Sequence, residues 1–240
     1  MGISEYIEKY RETTEFETII DVIKQNHYNI DSSFIYDECS FDGMVEDVEG
    51  INPEADIKYD SGATKVVVIF NEIVLKKTFT GYIDYDEETD EEIFVDYVMN
   101  DQFSYNYSPD YCAIEAMVFE EAVAKGLSDF FVEVIKVTDN IYAQLRVNYK
   151  LTFCDNLSLL GLTWHDIEEI RESYNFDSRI PDFAIGWWFI HKESRHLQDF
   201  ANFLDDHRIN DLHSSNIGIF NGQVKIFDYS GYNSGTEDTF

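Results

Sequence analysis

Three side chains near the end of the chain could bind a metal ion if the fold brings them together. Asp211 and Asn216 lie close in sequence, and Asp228 follows after two short apolar runs. Two carboxylates and one amide offer the oxygen ligands that hard cations prefer. Mg²⁺ in particular usually keeps waters and phosphate oxygens as further ligands. These residue types therefore predict a Mg²⁺ site.

The residues between them predict a β-hairpin. Apolar runs at residues 217–220 and 224–227 are separated by Asn221-Gly222. This pair favours a two-residue hairpin turn, because both positions tolerate positive φ. Folding a hairpin brings the outer ends of its two strands together. We therefore expect the three oxygen-bearing side chains to converge at one edge.

The same stretch resembles a known catalytic loop. DLHSSN at residues 211–216, followed by a hairpin and then KIFDYSG at residues 225–231, is similar to the catalytic loop and metal-binding Asp of the protein-kinase-like fold. The Asp-Leu-His form resembles the small-molecule phosphotransferases and the bacterial or phage branches more than the eukaryotic protein kinases. The resemblance implies that Asp211 is the catalytic Asp and that Asn216 and Asp228 are metal ligands.

Two positions depart from the family pattern. Ile209-Asn210 stands where the family has His-Arg or His-Gly, and Tyr229-Ser230-Gly231 replaces the usual Phe-Gly after the metal-binding Asp. Neither departure removes a metal-binding or base residue.

A second predicted hairpin carries two candidate phosphate-contacting lysines. Residues 65–70 and 73–79 are rich in Val and Ile and flank a turn at residues 71–72. The second run contains Lys76 and Lys77, which point to opposite faces because side chains alternate along a strand. Periodicity does not decide which lysine enters the site. The resemblance favours Lys76 as the lysine that contacts the phosphates of ATP.

The loop before this hairpin is a candidate nucleotide-binding segment. It contains Gly62, Ala63 and Thr64. A loop of small residues between strands lets backbone N–H groups approach a phosphate closely. One glycine is not a phosphate fingerprint by itself, so the loop is a candidate only in combination with Lys76.

A helix is predicted between Ser108, as its cap, and Gly126, with Pro109 at its first position. Within it, Glu115 shares a stripe with apolar residues, and a buried carboxylate requires a partner. In the kinase-like fold the helix after the lysine strand supplies a glutamate that pairs with the lysine, which implies a pair of Glu115 with Lys76. Glu120 and Glu121 are alternatives nearer the polar side, and a half-exposed Glu115 without this role is another.

The remaining patterns predict an α+β chain. Helical periodicity marks residues 4–27, the stretch after Thr163, residues 181–190 and residues 197–204. Strands are expected at residues 130–138 and 141–149. Residues 28–60 show no helical periodicity and predict a connecting region with a short strand near residues 57–59. The resemblance implies a bilobal protein-kinase-like fold, with an antiparallel β-sheet N-lobe and a truncated, mainly helical C-lobe.

Three ranges follow from this prediction. Residues 1–60 form an N-terminal helical extension and acidic linker, residues 61–150 form the N-lobe with an acidic insertion at residues 81–106, and residues 151–240 form a minimal C-lobe. Twelve residues follow Asp228 in the 240-residue sequence. We therefore expect neither an activation segment nor the later helices that bind peptide substrates.

The net charge of −31 is the outstanding global feature. A phosphate backbone would be repelled, so direct nucleic-acid binding is not expected. The three cysteines predict neither a disulfide framework nor a zinc site, and the sequence shows no signal peptide and no membrane-length apolar run. We expect a cytoplasmic protein without membrane partners. The compact acidic pattern also suggests a phage origin, for which the host cytoplasm is the compartment.

Two functions from different classes fit the sequence. The first is an ATP- and Mg²⁺-dependent phosphotransferase acting on a hydroxyl acceptor, in which nucleotide is the partner. The second is a catalytically idle kinase-like scaffold whose acidic surface mimics a nucleic acid and inhibits a basic or DNA-binding host protein. A third hypothesis combines them, with bound nucleotide as a structural switch.

Overall fold

The structure is a computed structural model, and it describes residues 1–26, 28–30, 38–61, 64–85, 92–96, 99–100, 108–147, 149–150, 161–176, 182, 185–186, 189, 194–209 and 216–230. The chain divides into two compact units. The first contains Met1–Met117 and Glu133–Arg146, and the second contains Val118–Val132 and Val147–Phe240. Within the ranges given, no helix has the length and apolar character needed to cross a membrane.

The elements are numbered in chain order. The helices are α1 Ile3–Tyr10, α2 Thr14–Gln25, α3 Glu38–Ile51, α4 Tyr111–Ala124, α5 Trp164–Tyr174 and α6 Ser194–Asp206, with a 3₁₀ turn at Ser128–Phe130. The strands are β1 Tyr28–Ile30, β2 Ile57–Ser61, β3 Lys65–Phe70, β4 Ile73–Thr78, β5 Gly81–Tyr85, β6 Glu92–Asp96, β7 Met99–Asn100, β8 Ser108–Pro109, β9 Val134–Thr138, β10 Ile141–Leu145, β11 Tyr149–Lys150, β12 Ile217–Phe220 and β13 Gln223–Ile226.

A five-stranded antiparallel sheet organises the first unit. Its strand order is β2-β3-β4-β10-β9, and every neighbouring pair is antiparallel. Asn71, in the turn between β3 and β4, and Asn140, in the turn between β9 and β10, have φ of 52° and 64°, a backbone region that asparagine tolerates better than most residues. The α+β class and the predicted hairpin at β3 and β4 are confirmed. The predicted strand at residues 130–138 is shorter, since it begins only at Val134.

The N-terminal region forms two helices instead of the single one predicted for residues 4–27. Helix α1 ends at Tyr10, and Thr13 then caps α2 by accepting a hydrogen bond from the backbone N–H of Phe16. The cap satisfies an N–H group that would lack a partner at a helix start. Tyr10 packs edge-on against Phe70 of β3, with ring centroids 5.0 Å apart, so α1 is fixed to the sheet.

Helix α3 lies within residues 28–60, where no helix was predicted. Phe41, Met44 and Val48 recur at helical spacing and are fully buried. The acids around them and the glycines at positions 43 and 50 obscured this short apolar stripe in the sequence. Phe41 stacks on Tyr59 of β2 at 5.1 Å, so α3 also packs on the sheet.

Helix α4 starts later than predicted and ends where predicted. Ser108 and Pro109 belong to strand β8, and Asp110 provides the cap by accepting a hydrogen bond from the Ala113 N–H at 3.2 Å. At the other end Gly126 has φ of +72°. The Leu127 N–H reaches back to the Ala122 carbonyl and the Gly126 N–H to the Val123 carbonyl. This is the Schellman pattern that a glycine at this position permits.

The second unit contains α5, α6 and a three-stranded sheet of order β11-β12-β13. Thr163 and Asp166 form a reciprocal capping box at the start of α5, and the helix lies in the stretch after Thr163 that the sequence predicts to be helical. Helix α6 is confirmed, and Phe200 on it stacks against Phe130 with ring centroids 4.0 Å apart. The helix predicted for residues 181–190 lies largely outside the described residues.

Candidate functional site

Four polar side chains meet in the interior of the first unit. Glu115 of α4 is completely buried, and Lys65, Lys76 and Gln144 are each no more than 7% exposed. Lys65 Nζ lies 2.7 Å from Glu115 Oε1, and Lys76 Nζ pairs with Glu115 Oε2. Lys76 Nζ also donates to Gln144 Oε1 at 2.7 Å. Of the predicted residues, the structure therefore brings Lys76 and Glu115 into direct contact, and a half-exposed Glu115 is ruled out.

Strand register explains why these side chains share one face. Lys65 lies opposite Thr78, and Gln144 lies opposite Val74. Both partners are two residues from Lys76 on β4, so all three side chains project from the same side of the sheet. Long side chains on diagonal positions reach each other, and Glu115 enters from α4 to meet them.

Lys77 is excluded as the partner of Glu115. Its Nζ donates to the backbone carbonyls of Ile23, Lys24 and Asn26 at 3.1–3.2 Å, at the C-terminal end of α2. Carbonyl oxygens at a helix end are favourable partners for a cation. Burial nevertheless lowers the pKa of Lys77 to about 8. Of the two adjacent lysines, the structure therefore pairs Lys76 with Glu115.

A hydrogen-bond chain fixes the start of α4 to β4. Thr78 Oγ1 donates to Asp110 Oδ1 at 2.9 Å, and the Cys112 N–H donates to Thr78 Oγ1 at 3.0 Å. Glu115 follows one turn later on the same helix. Burial raises the pKa of the Cys112 thiol to about 12, with smaller effects from Lys65 and Glu115 nearby. The thiol is therefore protonated and inert at neutral pH.

The alternatives Glu120 and Glu121 lie elsewhere. Both are exposed, and Glu121 lies 3.2 Å from His207 Nε2 of α6. Their positions on the outer side of α4 agree with the polar side assigned to them from the sequence.

In the second unit, the predicted hairpin places Asn216 and Asp228 at its open end. Ile217 pairs with Ile226, and the Phe227 N–H donates to the Asn216 carbonyl at 3.0 Å. Asp228 is the next residue and is half-buried, whereas Asn216 is buried. Asn221 and Gly222 both have positive φ, as the predicted turn requires. The roles of Asn216 and Asp228 as metal ligands remain a prediction.

The residues on both sides of Asp228 contact the segment at Phe131 and Val132. Tyr229 is 1% exposed; its ring lies edge-on to Phe131 at 4.9 Å, and its hydroxyl donates to the Val132 carbonyl at 2.7 Å. Lys225 Nζ donates to the Phe131 carbonyl at 3.2 Å. Asp228 therefore lies between two residues that are held by the same segment.

Three of the candidate residues lie outside the described part of the chain, namely Asp211, Gly62 and Ala63. Thr64 is described, and its carbonyl accepts a hydrogen bond from the Phe79 N–H at 3.0 Å, which closes the end of the β3–β4 hairpin. Within the described residues no group of three or more His, Cys, Asp or Glu side chains has the geometry of a metal site.

Sequence reasoning missed Lys65 and Gln144. The signal was present for both, since each is a polar residue in an otherwise apolar strand. The two-residue turn at residues 71–72 sets the register of β3 and β4. It therefore already placed Lys65 on the same face as Lys76.

Comparison with known proteins found a distant structural similarity and no matching family. A scan against protein-family models and a search of curated proteins both found no match. Among solved structures, a similar chain is APH(2″)-IIa in its ternary complex with streptomycin and ATP. The identity is 10%, the alignment covers 80% of this chain and 71% of that one, and the TM-score is 0.31. Similarity at this level establishes neither a shared fold nor a shared ligand.

Proposed function

We propose that this chain is an ATP- and Mg²⁺-dependent phosphotransferase of the protein-kinase-like type. The observation that carries the proposal is the buried pair of Lys76 and Glu115. In chain order Lys76 lies on the third strand of the five-stranded sheet, and Glu115 lies on the helix that follows. Protein kinases place their phosphate-contacting lysine and its glutamate on these two elements.

The chemistry of Lys76 fits a phosphate ligand. An ammonium group has three N–H donors. In the part of the chain that the structure describes, Glu115 and Gln144 accept two of them. The third donor is then suited to a phosphate oxygen of ATP, and Glu115 holds the ammonium group in place. Gly62, Ala63 and Thr64 lie between the first two strands of the sheet, where kinases carry the loop that covers the phosphates.

In this proposal the metal-binding and catalytic residues are Asn216, Asp228 and Asp211. Asn216 and Asp228 lie at the open end of the hairpin and would offer an amide and a carboxylate to Mg²⁺, which would neutralise charge on the phosphates. Asp211 orients or deprotonates the acceptor hydroxyl. Because phosphoryl transfer depends mainly on positioning and charge stabilisation, this small set of residues suffices. The predicted division into extension, N-lobe and C-lobe belongs to the same proposal.

Isothermal titration calorimetry with ATP, with and without Mg²⁺, tests the proposal. We expect metal-dependent binding that Asp228→Ala abolishes. Asp206→Ala is the matched control, because it removes one carboxylate from an exposed position in the same unit. Binding that is equal in both variants would overturn the metal-site assignment, and the absence of ATP binding to the natural sequence would overturn the function.

The net charge of −31 favours a second candidate function, in which the chain is an acidic scaffold that binds and inhibits a basic or DNA-binding protein. A complex of that kind weakens steeply as salt rises, because its charges lie at exposed surfaces. Nucleotide binding would depend on Mg²⁺ and Asp228 instead. Measuring both dependences on one preparation separates the two functions.

A further inference from the structure

We propose that Gln144 is a positioning residue for phosphoryl transfer, because its amide oxygen fixes the direction in which the ammonium group of Lys76 presents its remaining N–H donor. The inference rests on the proposed function, in which that donor binds a phosphate oxygen of ATP. Neither the motif analysis nor the kinase resemblance pointed to Gln144. Its contacts in the structure do.

The ammonium group of Lys76 is held from two separate elements. It pairs with Glu115 Oε2 of α4 and donates to Gln144 Oε1 of β10 at 2.7 Å, and it has no other partner in the part of the chain that the structure describes. A lysine side chain is long and flexible, so a single contact would leave it free to pivot about that contact. Two acceptors on different elements fix the position of Nζ. They thereby also fix the direction of the third N–H donor.

The hydrogen bond to Lys76 determines the orientation of the Gln144 amide. An ammonium group only donates, so the amide atom that faces it is the oxygen. Nε2 then points away from Lys76, and it has no hydrogen-bond partner among the described residues, although Gln144 is only 3% exposed. A buried N–H group without a partner is costly. An apolar side chain would avoid that cost, so packing alone does not account for a glutamine here, whereas orienting Lys76 does.

The acceptor that Gln144 provides is neutral, which suits a site for phosphate. A carboxylate at this position would add negative charge beside Lys76 and repel the phosphates of ATP. An amide oxygen instead holds the ammonium group without adding charge. Gln144 therefore orients Lys76 and leaves its attraction for a phosphate undiminished.

Strand β10 also provides a matched control residue. Gln144 lies opposite Val74 and Tyr142 lies opposite Lys76, so both side chains project from the face of the sheet that Lys76 shares. Tyr142 is 6% exposed, and among the described residues its hydroxyl has no hydrogen bond to Lys76. Tyr142→Phe therefore removes a buried polar group beside Lys76 but removes no contact of its ammonium group.

The first test follows the lysine ammonium groups by NMR in the ligand-free full chain, with ¹⁵N-labelled lysine. Gln144→Met keeps a similar length but lacks a strong acceptor, so we expect the Lys76 ammonium group to become more mobile. The signal of Lys77 should not change, because three backbone carbonyls hold that group. Tyr142→Phe should leave both signals as they are. Unchanged mobility of Lys76 in Gln144→Met would overturn the inference.

The second test is calorimetry with Mg²⁺ and two ligands, ATP and adenosine. Gln144→Met is expected to raise the Kd for ATP about tenfold, as for the loss of one hydrogen bond to a charged group, and to change the Kd for adenosine by less than about twofold. Tyr142→Phe should leave both constants within about twofold. Equal losses for ATP and adenosine in Gln144→Met would show a structural role and overturn the inference.

Gln144→Glu covers the case in which Gln144→Met does not fold. It keeps an acceptor at the same reach, so Lys76 should be as immobile as in the natural sequence. ATP should nevertheless bind more weakly, because the added carboxylate repels the phosphates, whereas adenosine binding should not change. A mobile Lys76 in Gln144→Glu, or unchanged ATP binding, would overturn the inference.

Failure of the inference is distinguishable from failure of the proposed function. If the natural sequence binds no ATP, both fall. If it binds ATP and Gln144→Met behaves like Tyr142→Phe, only the inference falls.

Discussion

Lys76 and Lys77 are neighbours in the chain, yet they bind on opposite faces of the five-stranded sheet. Lys76 pairs with Glu115 of α4, and Lys77 donates to the carbonyls at the end of α2. Both are 3% exposed. One strand thus carries a buried ion pair on one side and a buried ammonium among neutral carbonyls on the other, which makes the two lysines natural controls for each other.

Lys77 should make stability depend on pH in alkaline solution. Its pKa in the folded chain is about 8, below the ordinary value of 10.5, so the unfolded chain binds more protons between these pH values. Stability then rises with pH across that window, by up to roughly 3 kcal/mol at about 1.36 kcal/mol per pKa unit. Lys77→Met should remove this rise. The measurement is urea unfolding of both proteins between about pH 7.5 and about pH 10, a range that lies across the two pKa values of Lys77.

The difference between the two proteins isolates Lys77, because other groups titrate in both. Tyr142, for example, has a pKa raised to about 12 by burial, and it lowers stability only above the ordinary tyrosine range. Parallel pH curves for the natural sequence and Lys77→Met would contradict the prediction.

Glu115→Gln should destabilise the first unit strongly. The change leaves two buried ammonium groups beside a neutral amide, and breaking a buried pair in this way costs about 3 to 5 kcal/mol. Adding Lys65→Met to Glu115→Gln should recover part of the loss, because one of the two charges is then removed. Chemical unfolding of the single and double variants provides the free energies.

Asp56→Asn is the control for that series. Asp56 pairs with Arg146, but its side chain is 46% exposed, so its loss should cost less than about 1 kcal/mol. A cost for Glu115→Gln as small as this would mean that the two lysines are compensated by other groups.

Tyr229→Phe should cost about 1 kcal/mol, the usual contribution of one hydrogen bond, because it removes the donor to the Val132 carbonyl but keeps the ring on Phe131. Tyr229→Leu also removes the ring contact and should cost more. Thermal unfolding of both variants measures the difference. Tyr174→Phe is the control, since Tyr174 is 56% exposed. Equal stability of Tyr229→Phe and the natural sequence would show that the hydroxyl bond contributes nothing.

Two glycine substitutions should have opposite signs. Gly222 has φ of +78° in the turn that joins β12 to β13, so Gly222→Ala should cost about 1 to 2 kcal/mol. Gly43 lies inside α3 with nothing within 4 Å of an added Cβ, so Gly43→Ala should stabilise by about 0.5 to 1 kcal/mol. Denaturant midpoints of the two variants test both signs. A shift in the same direction for both would contradict the assigned turn or helix.

Elements with a strong local signal could be predicted from the sequence. Asn221-Gly222 specifies its hairpin through backbone conformation, and Thr163 with Asp166 specifies the start of α5 through a reciprocal cap. Helix α3 was missed because its apolar stripe is short and lies among acids. The break between α1 and α2 was missed because the apolar spacing continues across it, although the helix ends at Tyr10 and a new one begins after the cap at Thr13.

The sequence by itself determined the two hairpins, the α+β class and the candidate residues at their ends, because turn chemistry and side-chain alternation act between residues that are close along the chain. Only the tertiary structure decided which lysine meets Glu115 and that Lys65 and Gln144 join them. Those contacts depend on which face of the sheet α4 covers and which face α2 covers. Packing between segments that are distant in sequence determines which face each helix covers, and no local sequence pattern predicts it.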